Sequence, residues 1–350
     1  DLRIVFTPLH GTTYELVPAS LRNWGFTNIH TVPEQSIPNG DFPTVASANP
    51  EEPAAFKMAL DLARKIDADL AMACDPDGDR IGIAVKNDAG EWTLLNGNQT
   101  NIIFTEYIIR RKKELNQLKG GEYTVKTIVT TELIKDIAEK NHIICYDVYT
   151  GFKWIADIIR KEGGEKFIGG GEESFGYMPG AFTRDKDGVS ATSLMAEIAA
   201  WVKMQNKTLY SFLKEIYAKY GFSQERMIYI VRKGLSGAQE IKAMMEEFRH
   251  NTPKEINHSP VVLKKDYLSL EATNLQTGEK THLDFETKSD VLQFFLADGS
   301  KISVRPSGTE PKIKFYFEAR TQMKDINDYE RAQQEANARI DAIIEYLKIQ

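Results

Sequence analysis

Short apolar runs alternate with amphipathic stretches through about residue 205, and this pattern restricts the fold more than any other feature of the chain. A run of strand length followed by a stretch of helical period is typical of successive βαβ units. The sequence therefore predicts an α/β fold for this region. Predicted strands span residues 2–6, 28–32, 69–73, 81–85, 124–129, 143–146 and 166–168, and predicted helices span 53–65, 101–114, 131–140 and 152–161.

The pattern changes near residue 222, where strand-like runs follow one another and Asp298-Gly299 has the composition of a hairpin turn. Runs at 227–231, 261–263, 291–295, 302–304 and 313–317 predict an antiparallel sheet, and a long amphipathic helix is predicted over 325–347. A chain of 350 residues is long enough for two or three domains. Boundaries near residues 92–96 and at Gly221 give expected domains over 1–95, 96–220 and 221–350.

An acidic segment, Asp75-Pro76-Asp77-Gly78-Asp79-Arg80, places three carboxylates at two-residue spacing directly after the apolar run 69–74. Three like charges on one loop are unfavourable unless a cation neutralises them, and carboxylate oxygens favour Mg2+ or Ca2+. Ligands of open α/β sheets bind at the carboxyl ends of strands, where this loop is expected to lie. An EF-hand is excluded, because Gly78 is at the fourth loop position and the twelfth is Lys86 rather than Glu.

Two further segments have the composition of ligand-binding loops. Gly169-Gly170-Gly171-Glu172-Glu173-Ser174-Phe175-Gly176 offers a carboxylate and a hydroxyl that could bind neighbouring sugar hydroxyls, although a glycine-rich link from strand to helix is the alternative. Arg305-Pro306-Ser307-Gly308-Thr309-Glu310-Pro311-Lys312 combines a guanidinium, hydroxyls and an unshielded amide, which suit a phosphate dianion, although an ordinary hairpin turn is the alternative.

Charge and cysteine content bear on the partners and the compartment. A net charge of −6 without a dense Lys/Arg stripe argues against nucleic acid or an anionic membrane as the main partner. No apolar stretch approaches the roughly 18 to 20 residues needed to cross a bilayer. Cys74 and Cys145 lie in apolar runs and are expected to be buried free thiols, which favours a cytoplasmic location.

Together these motifs resemble the α-D-phosphohexomutases, the family of phosphoglucomutases and phosphomannomutases. In that family an Asp-x-Asp-Gly-Asp-Arg loop binds Mg2+, a Gly-Glu-x-Ser loop binds the sugar and an Arg-x-Ser-Gly-Thr loop holds the phosphate, in this order. Thr7-Pro8-Leu9-His10-Gly11 and Thr150-Gly151-Phe152-Lys153 also resemble family signatures. The resemblance implies two mixed α/β three-layer domains followed by a smaller α+β phosphate-binding domain with an antiparallel sheet.

By the same resemblance, the chain corresponds to domains two to four of a four-domain enzyme. We expect the amino-terminal domain that carries the phosphorylated serine to be missing, and the chain to be inactive without that partner. The string Asn257-His258-Ser259-Pro260 has the residue types of the serine loop in the wrong order and is expected to be a surface turn.

The resemblance also implies roles for individual residues. Asp75, Asp77 and Asp79 would hold Mg2+, and Arg80 would help to hold the transferred phosphoryl group. Lys186 would act as a general acid or base if neighbouring cations and partial burial lower its pKa; pairing with phosphate or Asp187 is the alternative. The substrate-binding residues implied are Glu172 and Ser174 for the sugar 3- and 4-hydroxyls, and Lys153, Arg305, Ser307, Gly308 and Thr309 for phosphate.

The loop Gly171-Glu172-Glu173-Ser174-Phe175-Gly176 is similar to the phosphoglucomutase form, so glucose 1-phosphate and glucose 6-phosphate are the expected substrates and glucose 1,6-bisphosphate the expected intermediate. Mannose phosphate and pentose phosphate are alternative substrates. A haloacid-dehalogenase-type phosphatase would not explain the loop at 305–312. A non-catalytic module that binds sugar phosphates is the alternative outside the enzymes.

Overall fold

The computed structural model describes residues 1–232, 234–308 and 311–349. The chain forms two compact units, Asp1–Tyr220 and Gly221–Gln350. The division of the first 220 residues into two domains stays a prediction.

The first sheet of the first unit has five strands, and its central strands are apolar on both faces. Its strands are Ile4–Thr7 (β1), Ile29–Thr31 (β2), Leu70–Cys74 (β3), Ile81–Lys86 (β4) and Trp92–Leu95 (β5), and its helices are Thr13–Asn23 (α1) and Lys57–Lys65 (α2). The strand order is β2-β1-β3-β4-β5, with β2, β1 and β3 parallel and β4 and β5 antiparallel to their neighbours. The central strand β3 is buried along its whole length, as expected where both faces of a sheet are covered.

The second sheet repeats this arrangement. Its strands are Tyr123–Thr127 (β6), Ile144–Val148 (β7), Phe167–Gly171 (β8) and Tyr177–Met178 (β9), in the order β7-β6-β8-β9, and only β9 is antiparallel. Its helices are Gly97–Glu114 (α3), Leu133–Lys140 (α4), Phe152–Glu162 (α5), Gly188–Met204 (α6) and Leu209–Tyr220 (α7). The hairpin between β3 and β4 and the hairpin between β8 and β9 therefore occupy equivalent places in the two sheets.

Helix α3 has a well-defined start. The side chain of Asn96 accepts from the backbone N–H of Gln99 at 2.8 Å, and the Gln99 side chain accepts from the Asn96 N–H at 3.0 Å. This capping box satisfies two backbone donors that a helix start otherwise leaves unpaired. Almost every residue from Gly97 to Ile109 is buried, so the first turns of α3 lie inside the unit.

The second unit is an antiparallel sheet with helices. Its elements are Phe222–Val231 (β10), Gly234–His250 (α8), Glu255–Ile256 (β11), Ser259–Asp266 (β12), Glu271–Asn274 (β13), Lys280–His282 (β14), Leu292–Leu296 (β15), Lys301–Pro306 (β16), Lys312–Thr321 (β17) and Tyr329–Tyr346 (α9). The strand order is β10-β17-β16-β15-β12-β13-β14, with β11 paired to β12. The predicted turn at Asp298-Gly299 joins β15 and β16, with Gly299 at a φ of 85°.

The predicted fold class is confirmed: α/β sheets are followed by an antiparallel α+β unit. Both cysteines are free, with Cys74 buried and Cys145 half-buried, and burial raises the pKa of each thiol to about 12. Within the described part of the chain, no helix has both the length and the apolar character needed to cross a membrane.

Candidate active site

The acidic segment forms the tight hairpin loop between β3 and β4. Gly78 makes the turn with a φ of 78°, a backbone conformation that favours glycine. The carboxylate of Asp75 accepts from the backbone N–H groups of Asp79 at 3.0 Å and Arg80 at 2.8 Å. The segment near Gly11 supports the loop from outside, where Thr12 donates its N–H to the Pro76 carbonyl at 2.8 Å. The loop is therefore shaped by its own first aspartate and by the turn after β1.

Three carboxylates converge at this loop. One oxygen from each of Asp75, Asp77 and Asp79 lies within 4.8 Å of the others. Burial, together with the charges of Asp77 and Asp79, raises the pKa of Asp75 to about 7. Among the described residues, Oδ1 of Asp79 is buried without a hydrogen-bond partner. A hard divalent cation such as Mg2+ would satisfy that oxygen and offset the crowded charge, so these residues fit the predicted metal.

Two cationic side chains border the carboxylates. The Arg80 guanidinium donates to Oε1 of Glu51 at 3.0 Å, and its Nε lies 3.8 Å from Oδ2 of Asp75. Nζ of Lys186 lies 2.6 Å from Oδ2 of Asp79 and 3.5 Å from Oδ1 of Asp185.

The expectation of a lowered pKa for Lys186 is wrong, because the pKa of its amine is raised. Burial lowers the pKa of its amine, but the bonds to Asp79 and Asp185 outweigh burial and raise it. The nearest charged neighbours of the amine are carboxylates rather than the cations on which the expectation depended.

The glycine-rich segment forms the equivalent hairpin loop between β8 and β9. The backbone N–H of Glu172 donates to the Gly176 carbonyl at 3.0 Å and closes the loop. The carboxylate of Glu172 accepts from the backbone N–H of Gly151 at 2.5 Å and from the Ser174 hydroxyl at 3.4 Å. Burial, followed by the charge of Glu173, raises the pKa of Glu172 to about 7. The carboxylate and hydroxyl predicted to bind sugar are therefore adjacent.

The two hairpin loops lie against each other. Arg80 and Gly176 form an antiparallel β-bridge, and the Ile81 N–H donates to the Phe175 carbonyl at 3.0 Å. The start of α6 also contacts the acidic loop, because the N–H of Gly188 donates to the Gly78 carbonyl at 3.0 Å. The structure thus brings together seven predicted site residues, Asp75, Asp77, Asp79, Arg80, Glu172, Ser174 and Lys186.

Sequence reasoning missed two groups of this site. Glu51 binds the Arg80 guanidinium, and the Gly151 N–H binds the Glu172 carboxylate. Gly151 belongs to the string from Thr150 to Lys153, whose resemblance to a family signature predicts no role for the Gly151 N–H. Nothing local in the sequence sets the half-buried Glu51 apart from other carboxylates.

Of the predicted phosphate-binding residues, Lys153 belongs to the first unit, and Arg305, Ser307, Gly308 and Thr309 belong to the second. Lys153 is exposed in the first turn of α5, with its amine 4.9 Å from the Trp154 ring. In the second unit, Arg305 lies opposite Lys314 in the β16–β17 ladder, and the N–H of Ser307 donates to the Lys312 carbonyl at 2.8 Å. Gly308 follows as an exposed residue, and Thr309 lies outside the described residues.

Family models match most of the chain. The phosphoglucomutase/phosphomannomutase alpha/beta/alpha domain II matches residues 1–90, domain III of the same description matches 96–220, and the C-terminal domain matches 241–340. A phosphoglucomutase of Staphylococcus aureus strain MRSA252 is 37% identical over 341 residues, which are 97% of this chain and 60% of that protein. The chain therefore spans about 60% of the length of this relative.

Solved structures share the fold at low sequence identity. Pp63/parafusin, a phosphoglucomutase from Paramecium, superposes with a TM-score of 0.66 and 18% identity, over 99% of this chain and 57% of that one. A putative phosphomannomutase from Thermus thermophilus superposes with a TM-score of 0.62 and 19% identity, over 97% of this chain and 61% of that one. An N-acetylphosphoglucosamine mutase from Aspergillus fumigatus was solved in complex with glucose 1,6-bisphosphate. It superposes with a TM-score of 0.50 and 16% identity, over 98% of this chain and 61% of that one.

Proposed function

We propose, on the premise that the chain belongs to the phosphoglucomutase/phosphomannomutase family, that it forms part of an enzyme interconverting glucose 1-phosphate and glucose 6-phosphate. The observation that carries this proposal is the junction of the acidic loop with the loop of Glu172 and Ser174, through the bridge between Arg80 and Gly176. The junction supports the proposal because it joins the loop proposed to handle the phosphoryl group to the loop proposed to bind sugar hydroxyls. We choose glucose as the sugar because the curated relatives are phosphoglucomutases.

The acidic loop is proposed to stabilise the phosphoryl group while it is transferred. Mg2+, held by Asp75, Asp77 and Asp79, would offset negative charge on the phosphoryl group in transit. The Arg80 guanidinium, which donates to Glu51, is proposed to bind the same phosphoryl oxygens.

Glu172 and Ser174 are proposed to bind the sugar ring. Together they accept from and donate to its 3- and 4-hydroxyls. Arg305, Ser307, Gly308 and Thr309 are proposed to clamp the phosphate that does not react, and Lys153 to contact substrate phosphate.

The full reaction needs a second component. We propose that a domain with a phosphorylated serine donates its phosphoryl group to the sugar and recovers one from the other end of glucose 1,6-bisphosphate. The solved Aspergillus relative is a complex with that bisphosphate, which supports its use as the intermediate. Without such a domain, this chain is expected to bind sugar phosphate and to turn none over.

A coupled assay tests this function. The protein with a phosphoserine domain preceding Asp1 is given glucose 1-phosphate, mannose 1-phosphate or ribose 1-phosphate, with Mg2+ and trace sugar bisphosphate, beside the chain alone. We expect turnover of glucose 1-phosphate by the longer protein and silence from the chain alone. Silence from a folded, serine-phosphorylated longer protein on all three sugars would contradict the proposal, and preference for mannose or ribose would reassign the substrate.

Lys186 is proposed as a proton donor, since its raised pKa keeps the amine protonated. Its replacement by Met is expected to lower kcat in that assay by roughly 100-fold, the low end of general acid–base contributions. Affinity for sugar phosphate should change by less than about 10-fold, because a proton-transferring group acts mainly in the transition state. Lys186→Arg keeps the positive charge but cannot give up its proton, so its kcat should also be lowered. Lys203→Met is the matched control, since Lys203 lies on α6, the helix that begins two residues after Lys186, and pairs with Asp69 at 2.8 Å. Equal losses of kcat and affinity would contradict a proton-transfer role for Lys186.

A further inference from the structure

A buried amide on α3 holds the backbone of Glu172. Asn101 is 2% exposed, and its Nδ2 donates to the carbonyl oxygen of Glu172 at 2.7 Å. The two residues are 71 positions apart in the chain, so this contact joins the start of α3 to the loop between β8 and β9. A buried side-chain amide with such a bond is expensive to leave unpaired and fixes the groups that it joins.

The contact completes a set of three anchors on Glu172. Its N–H donates to the Gly176 carbonyl, its carbonyl accepts from Asn101, and its carboxylate accepts from the Gly151 N–H. The three anchors come from the loop itself, from α3 and from the turn before α5. With both backbone groups held, the direction in which the Glu172 side chain leaves the loop is determined.

Two glycines allow α3 to lie this close. A Cβ at Gly171 would overlap Oδ1 of Asn101, and a Cβ at Gly97 would overlap the carbonyl oxygen of Glu173. The adjoining Asn98 holds a neighbouring segment, since its Oδ1 accepts from the Thr131 N–H at 3.0 Å. The helix start is therefore packed against the loop by backbone contact, and Asn101 supplies the directed bond.

We propose that Asn101 is a positioning residue for sugar recognition, acting through Glu172. This inference rests on the proposed function, because it assigns to Glu172 the binding of sugar hydroxyls. Asn101 itself contacts the loop backbone, through its bond to the Glu172 carbonyl. Its loss frees the Glu172 carbonyl and lets the carboxylate shift, and a displacement of about 1 Å can cost on the order of 100-fold in a positioned site.

Calorimetry on this chain tests the proposal with two probes, glucose 1-phosphate and inorganic phosphate, at pH 8. For Asn101→Leu we expect affinity for glucose 1-phosphate to fall by roughly 10- to 100-fold, while affinity for inorganic phosphate, which has no sugar hydroxyl, is unchanged. Asn101→Asp keeps the shape and removes the donor, and is expected to show the same selective loss. Asn141→Leu is the matched control, because Asn141 donates to the Ile137 carbonyl and the Tyr220 hydroxyl. This variant should bind both probes as the wild type does.

Thermal unfolding of each variant shows that a folded protein is being compared. Unchanged affinity of folded Asn101→Asp for glucose 1-phosphate, or equal losses for both probes, would overturn the positioning role. A wild-type chain that binds inorganic phosphate but no hexose phosphate would instead overturn the proposed function, and this inference with it. The two failures are distinguished by the wild-type titration alone.

Discussion

Replacement of Asp77 by Asn is expected to weaken Mg2+ binding to this chain by at least about 100-fold, since changes behind a metal ligand alone cost 10- to 100-fold. Asp77 is the best of the three carboxylates for this test. Asp75 shapes the loop through two backbone N–H groups, and Asp79 pairs with Lys186, whereas Asp77 is exposed. The variant should therefore keep its loop and lose a charge that the cation needs. In the longer protein, turnover should fall about 1,000-fold, because metal stabilisation of the phosphoryl group is worth several kcal/mol.

Mg2+ titration followed by calorimetry measures the first effect, and the rise in thermal stability on adding Mg2+ measures it independently. Asp61→Asn is the matched control, because Asp61 is an exposed carboxylate on α2 that pairs with Lys57 at 2.7 Å. The control should bind Mg2+ as the wild type does. Equal Mg2+ affinity in Asp77→Asn and Asp61→Asn would show that the acidic loop is not the metal site.

The loops of the site were predictable because each one is contiguous in sequence. The acidic loop and the loop of Glu172 directly follow buried apolar strands, and the strand at 69–73 was predicted within one residue of its observed position at Leu70–Cys74. Hydrophobic runs and glycine-rich turns are local signals, so one sequence is enough to locate them.

The junction between the loops was not predictable in the same way. The bridge between Arg80 and Gly176 joins residues that are far apart in the chain, and it depends on how the two sheets pack. Asn101 and Glu51 belong to the site only through that packing. The ion pair of Lys186 with Asp79 has the same origin, and it is one reason why the pKa of Lys186 is raised rather than lowered as expected.

Strand ends also depended on tertiary pairing. The run at 124–129 predicts one strand, but the strand ends at Thr127, and Ile128 and Val129 are buried in the following turn. In contrast, β10 begins at Phe222, five residues before its predicted start, because polar residues such as Arg226 pair with β17. Burial and polarity are therefore imperfect guides to strand ends, since a neighbouring strand can recruit polar residues.

Replacement of Glu172 by Gln is expected to stabilise this chain at pH 8 while weakening its binding of glucose 1-phosphate. Burial raises the pKa of Glu172 from 4.5 to about 7, so the folded protein binds a proton more tightly than the unfolded chain does. That contribution to stability is complete below pH 4.5 and is lost as the pH rises through about 7. Gln has no proton to lose, so the variant should gain about 1–3 kcal/mol relative to the wild type between pH 4 and pH 8.

The same substitution removes the charged acceptor proposed for two sugar hydroxyls. Hydrogen bonds to charged groups contribute about 1.5–3 kcal/mol each, and Gln keeps part of this as a neutral acceptor, so affinity should fall on the order of 100- to 1,000-fold. Urea unfolding at a series of pH values and calorimetry with glucose 1-phosphate measure the two effects. Glu162→Gln, at the carboxyl end of α5, is the control and should leave both unchanged. A stability difference that does not vary with pH would contradict the raised pKa, whereas unchanged affinity would contradict the proposed sugar contact. Opposite changes in stability and binding are expected only if the buried carboxylate is kept, at a cost in stability, for the ligand that it binds.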